Sequence, residues 1–216
     1  FSPDIIEPNS ILIAISQSGE SADVLEAVNT AKNVKCKIIS IVNLLTSSLV
    51  RESDIAIGMN CGPEIGVAAT KSFTSQLAVL FKIIEKLSNN MVKIDFEEMS
   101  RSISKMLEDP TKIKKIANEM KEISDIYVLG RGIHYPIAIE AALKLKELTY
   151  IHAEGIPGGE LKHGPLALMD SSVWVIIINP NDSTYLDTLT SANQIKSRGA
   201  KIIGISDVPS NTYDYW

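Results

Sequence analysis

Hydrophobic and polar positions follow one another in blocks along this chain. "ILIAI" (11–15), "KIISIV" (37–42), "DIAIGMN" (54–60), "IYVLG" (126–130) and "VWVIII" (173–178) are apolar runs of strand length. Such runs, rich in β-branched residues and bounded by turn residues, predict buried strands. Between them the apolar positions change to helical spacing. In "SADVLEAVNTAK" (21–32), Val24, Leu25 and Val28 fall on one side, with Ala27 and Ala31 alongside. Over 64–87, Phe73, Leu77, Leu80, Phe81 and Ile84 make one apolar stripe. The polar, Met-containing stretch from 88 to about 121 predicts connecting helix. The stretch 136–150 opens on Pro136, suited to a first helical position. It sets Ile137, Ala141, Leu145 and Leu148 on one face and Glu140, Lys144 and Glu147 on another. Residues 150–165, dense in Gly and Pro, predict a loop.

Strands alternating with helices imply an α/β fold of parallel sheets with helices on both faces. The second half also repeats the first. "IAISQSGESADVLEAVNTAKNVKCKIISIVN" lies over "VIIINPNDSTYLDTLTSANQIKSRGAKIIGISD", with Ile15 over Ile178 and Lys37 over Lys201. Each unit is strand, polar turn, helix, strand, which predicts a duplicated domain. The expected organisation is a first domain at 1–90, a helical linker at 91–108 and a second domain at 109–216.

Composition narrows the function classes. At 216 residues and 45% hydrophobic, the chain can build one large or two small cores. The formal net charge of -5 and the lack of a long Lys/Arg run argue against a nucleic-acid or membrane-surface partner. Cys36 and Cys61 are too few for a disulfide framework. No apolar run approaches a membrane span and no signal peptide is apparent, so a cytoplasmic location is expected. The start at Phe1 without Met suggests a trimmed piece of a longer chain.

Candidate chemistry begins at "ISQSGESADVLEA". Ser16, Gln17, Ser18 and Ser21 crowd one turn between a strand and a helix, around Gly19. One reading is helix capping by Ser18 or Ser21. The other is an anion site, for a phosphate held by helix N-terminal N–H groups and hydroxyls. Glu20 and Asp23 oppose the second reading if they face the anion. No GxxxxGK[ST] is present, and "GRG" at 130–132 lacks the third glycine of a dinucleotide turn.

Glu140, Lys144 and Glu147 alone read as a surface ion-pair set. The neighbouring "YIHAEGIPGGELKHGP" adds His152, Glu154, Glu160, Lys162 and His163, and a histidine there can move a proton near neutral pH. Glu160 and His163 lack a helix to align them on a metal, so no metal site is expected. His134 reads as structural or solvated.

"SQSGES", "EIGVAATKSFTSQ", "ALKLKE", "YIHAE" and "GELKHGP", in this order, closely resemble the isomerase half of the glucosamine–fructose-6-phosphate aminotransferase family, which is built from two sugar isomerase (SIS) domains. The resemblance covers nearly the whole chain. It implies conversion of fructose 6-phosphate and glutamine-derived ammonia into glucosamine 6-phosphate, with no cofactor. It implies that Ser16, Gln17, Ser18 and Ser21 bind the phosphate, although the family usually has Thr where Ser21 stands. It further implies that Glu147 moves a proton between C1 and C2, that Lys144 assists at the hydroxyls, and that His163 opens the ring from a neighbouring subunit. A homodimer or higher homo-oligomer follows. Val67 matches a sugar contact made through its backbone. Ala69 stands where the family has Ser, so a weaker sugar contact is expected there. The family's glutaminase domain, first SIS strand and C-terminal tail are not in this sequence, so glutaminase activity and the full reaction are not expected of this stretch alone. The alternatives are a deaminase or deglycase of SIS type acting on glucosamine 6-phosphate, and a non-catalytic sugar-phosphate sensor.

Overall fold

The computed structural model describes residues 6–89 and 91–216. The expected outer limits of the first domain, 1 and 90, lie outside the described residues. The chain divides into two compact units, one up to Ile103 and one from Ser104. Among the described residues no helix is long and apolar enough to cross a membrane.

The first unit runs β1 (Ile11–Ser16), α1 (Ala22–Asn33), β2 (Lys37–Val42), α2 (Ser48–Arg51), β3 (Ile55–Gly58), α3 (Lys71–Leu87) and the start of α4 (Phe96–Glu108). Its three strands pair in parallel in the order β1-β2-β3, with Ile11 opposite Lys37 and Ile39 opposite Ile55. Ala14, Ile38 and Val42 of the sheet pack with Val28 and Ala31 of α1 and with Leu49. Helical spacing thus gave the right buried face for α1. The stripe on α3 is less covered: Phe81 and Ile84 stay exposed.

The second unit runs α5 (Thr111–Met120), β4 (Asp125–Gly130), α6 (Tyr135–Thr149), β5 (His152–Pro157), β6 (Trp174–Ile178), α7 (Tyr185–Ser197) and β7 (Lys201–Ile205). All four strands are parallel, in the order β5-β4-β6-β7. The period of two divides β4 between two cores. Tyr127 and Leu129 pack with Val175, Ile177, Ala192 and Ile195 on the α7 side. Ile126 and Val128 pack with Ala138, Ala142 and Trp174 on the α6 side. Burial on both faces is why β4 and β6 read as unbroken apolar runs.

Four sequence expectations are corrected. The helix expected over 64–87 begins only at Lys71. The carboxylate of Glu64 accepts the N–H groups of Thr70 and Ser72, fixing the helix start there and leaving 65–70 irregular. The connecting helix is two helices, broken at Asp109 and Pro110; proline lacks the N–H a continuous helix needs. The loop expected at 150–165 contains β5, an edge strand where Gly and Pro are tolerated. On α6, Ile137 and Leu148 are exposed, and Ala138 and Ala142 are the buried residues. A Cβ at Gly155 of β5 would stand 2.8 Å from the Ile139 Cα, so helix and strand meet nearly backbone to backbone and only small side chains fit between them.

Candidate functional site

In a parallel sheet every strand ends on the same edge, and ligands of open α/β sheets gather there. Three segments of the first unit leave that edge: 16–21 after β1, 43–47 after β2 and 59–70 after β3. Asn43 ties them together. Its N–H donates to the Gln17 carbonyl at 3.1 Å. Its side-chain amide donates to the Gly62 carbonyl at 2.7 Å, and its Oδ1 accepts from the Cys61 N–H at 3.2 Å.

The 16–21 turn is folded on its own hydroxyls. Ser16, buried at the end of β1, accepts the Gly19 N–H on its Oγ at 3.0 Å and lies 3.3 Å from the Ser21 Oγ. Ser18 Oγ accepts the Glu20 N–H at 3.2 Å. Gly19 has φ +69°, and a Cβ there would sit 2.1 Å from the Ser47 Oγ. Only glycine meets both demands. Ser21 stands at the N-cap position of α1 yet makes no side-chain capping bond. The capping reading therefore fails for Ser21, and a hydroxyl is left at the helix start. Glu20 does not face that group: its carboxylate accepts the Ser48 N–H at 2.8 Å at the start of α2, which pulls its pKa below the usual carboxylate range. Of the two acids that oppose an anion, Glu20 is thus engaged elsewhere, while Asp23 stays in the first turn of α1 and is exposed.

Val67 and Ala69 lie in the 65–70 segment. Val67 is 99% exposed and Ala68 beside it is buried. Glu64 anchors this segment through the Thr70 hydroxyl at 2.7 Å and the Ser72 N–H at 3.1 Å, and these bonds hold its pKa down to about 2.

In the second unit, α6 presents the acid–base set. Lys144 Nζ lies 2.7 Å from Glu147 Oε2 and 3.5 Å from Glu140 Oε1. The hydrogen bond that Lys144 donates to Glu147 is the largest influence on Lys144 and raises its pKa, so the ammonium form persists at neutral pH. His163 ends a short 3₁₀ turn, Leu161–His163, and is exposed. Among the described residues no side-chain hydrogen bond or ion pair joins His163 to Lys144 or Glu147. His134 is tied down: its Nε2 lies 2.7 Å from Asp182 Oδ2. No group of three His, Cys, Asp or Glu side chains that could hold a metal is found among the described residues.

Sequence reasoning missed Asn43, Ser47 and Glu64. Ser47 is 1% exposed and its Oγ, beneath Gly19, has no partner. Its signal was "TSS" (46–48), a second hydroxyl-rich turn following a strand parallel to β1. Asn43 and Glu64 act through backbone groups and carry no spacing signal.

The SIS domain family matches residues 4–84 and 119–214 of the chain. A glutamine–fructose-6-phosphate aminotransferase (isomerizing) from Methanothermobacter thermautotrophicus is 42% identical over 96% of this chain and 35% of its own length. The corresponding protein of Thermotoga maritima is 45% identical over 92% of this chain and 34% of its own length. The chain thus spans about a third of these relatives. The solved C-terminal domain of glucosamine-fructose-6-phosphate aminotransferase from Francisella tularensis superposes with a TM-score of 0.85 at 38% identity, over 98% of this chain and 64% of that one. A glucosamine-6-phosphate deaminase from Thermotoga maritima shares the fold, with a TM-score of 0.80 at 23% identity over 93% of this chain and 62% of that one.

Proposed function

The chain belongs to the SIS domain family, and from that premise we propose that it is the isomerase portion of a glutamine–fructose-6-phosphate aminotransferase. Its substrate is fructose 6-phosphate. The 16–21 turn takes the phosphate: Ser16, Gln17, Ser18 and Ser21 supply hydrogen bonds beside the positive end of α1. Val67 and Ala69 contact the sugar from the segment that Glu64 holds. His163, supplied by a neighbouring subunit, opens the ring.

Ammonia condenses at the C2 carbonyl with loss of water. Glu147 then takes a proton from C1 and delivers it to C2, while the O1 hydroxyl proton passes to the imine nitrogen, which leaves an aldehyde at C1 and an amine at C2. Lys144, held protonated, steadies the charge developing on the hydroxyl oxygens. Once the sugar is held in a single orientation, one carboxylate can serve two adjacent carbons.

The observation that carries this reading is the 2.7 Å contact between Lys144 and Glu147. Lys144 and Glu147 together with His163 argue against a sensor that only binds a sugar phosphate, which has no use for three proton-transfer groups. Domain limits of 1–90 and 109–216, a homo-oligomer and a glutaminase domain elsewhere in the full-length chain complete the proposal.

The test is product identification. The full-length protein, given fructose 6-phosphate and glutamine, is expected to make glucosamine 6-phosphate and glutamate. Glutamine-independent release of ammonia from glucosamine 6-phosphate would point instead to a deaminase, and ligand binding with no turnover to a sensor.

A further inference from the structure

Polar groups that this reaction does not use gather in another part of the second unit. A cavity of about 220 Å³ lies between Arg131 after β4, the 158–162 segment after β5, and α7. Two of its lining residues each carry a buried side-chain atom without a hydrogen-bond partner: Arg131 Nε, a donor, and Gln194 Oε1, an acceptor. Buried polar atoms in folded proteins nearly always have partners. These two ask for something that both accepts and donates. The charge around them is unequal. Arg131 and Lys162 supply two cations against the single carboxylate of Asp187, which is 70% exposed and 3.7 Å from Arg131 Nη1. The hydroxyl of Ser191, buried on α7, has the Asp187 carbonyl at 3.2 Å and the Gly158 carbonyl at 3.4 Å as acceptors.

We propose that this cavity is a second ligand site, for a small hydroxylated oxyanion. The oxyanion, a carboxylate or a phosphate, lies against the Arg131 guanidinium and the Lys162 ammonium. A hydroxyl of the same molecule donates to Gln194 Oε1. Every wall belongs to the second unit, and no residue of the 16–21 turn lines the cavity.

The test is a titration of the full chain at low salt, followed by the ¹H–¹⁵N signals of the Arg131 Nε–H and the Gly159 amide. D-glycerate probes the carboxylate source, glycerol 3-phosphate the phosphate source, and glycerol is the uncharged control. Saturable shifts are expected with one or both anions and none with glycerol. Arg131→Gln is expected to weaken binding about tenfold or more, and Lys162→Gln about threefold. Asp187→Asn is expected to tighten it at least about twofold, because a competing carboxylate is gone. Should Arg131→Gln not fold, the exposed positions 162 and 187 still decide the question. Absence of shifts at about 20 mM of either anion would mean that water alone partners these atoms, and the proposal would fall. Equal response to glycerol, or weaker binding in Asp187→Asn, would overturn the anion. Loss of the shifts in Ser18→Ala would mean that the anion is held by the 16–21 turn and not in this cavity, and would overturn the proposal.

Discussion

The two repeats share a strand–turn–helix–strand scaffold, and the turn before the helix differs between them. In the first, β1 leads through residues 16–21 into α1; in the second, β6 leads through residues 179–184 into α7. With Ile15 over Ile178, Gly19 falls on Asp182 and Ser21 on Thr184. In the second turn Asp182 accepts the N–H and the hydroxyl of Thr184 at 2.8 Å each, and its other oxygen meets His134 at 2.7 Å. The protein's own carboxylate thus occupies the start of α7, with its pKa held down to about 2, chiefly by His134. The first turn has bare Gly19 there, and its nearby acid, Glu20, caps α2 instead. The lesson is local. A helix start suits an anion in either repeat; in the second a carboxylate of the protein bonds the N-cap residue, and in the first glycine stands in its place.

The largest effect expected tests the division of labour between the units. Glu147→Gln in the full-length protein should lower isomerisation by about 10³-fold, within the range for a lost general base, while fructose 6-phosphate affinity stays within about threefold. Near-parental turnover would remove Glu147 from the reaction. Next is Gly19→Ala. It combines a positive φ with a Cβ 2.1 Å from the Ser47 Oγ, so urea unfolding should show a loss of about 2–4 kcal/mol. The same change at position 182 of the other turn would carry no such strain. A loss below about 0.5 kcal/mol would mean that the turn is not held as described.

Much of this was legible in the sequence, for physical reasons. β4 and β6 are buried on both faces and so announce themselves as apolar runs; α1 shows its buried side through Val28 and Ala31. The turn at 16–21 was visible because four hydrogen-bonding side chains are more than one cap requires. β5 was hidden, since an edge strand carrying His152, Glu154 and Gly155 has no apolar run. The start of α3 was hidden as well, because a carboxylate seven positions upstream fixes it. The partners of Glu20 and Asp182 decide between the two turns, and no local spacing reveals a bond between residues 20 and 48 or between 134 and 182.

The smaller predictions sharpen the contrast. Ser18→Ala should weaken fructose 6-phosphate binding about three- to tenfold, the worth of one hydrogen bond, by calorimetry on the full-length protein. No change would remove Ser18 from the grip. Asp182→Asn should leave that affinity unchanged and lower the midpoint of thermal unfolding at neutral pH. The folded pKa of Asp182, about 2, lies below its ordinary 3.8. Its contribution is therefore complete above about pH 4 and is lost as the pH falls toward 2. The gap between variant and parent should close over that window. A constant gap would mean that the carboxylate's charge is not what holds the second turn.

The most direct measurement is amide hydrogen exchange on the full-length protein, with and without saturating glucosamine 6-phosphate. Exchange at residues 18–23 should slow about tenfold or more, while the matching amides at 181–186 stay unchanged. Equal exchange at 18–23 with and without the ligand would contradict the assignment of the phosphate to the first turn.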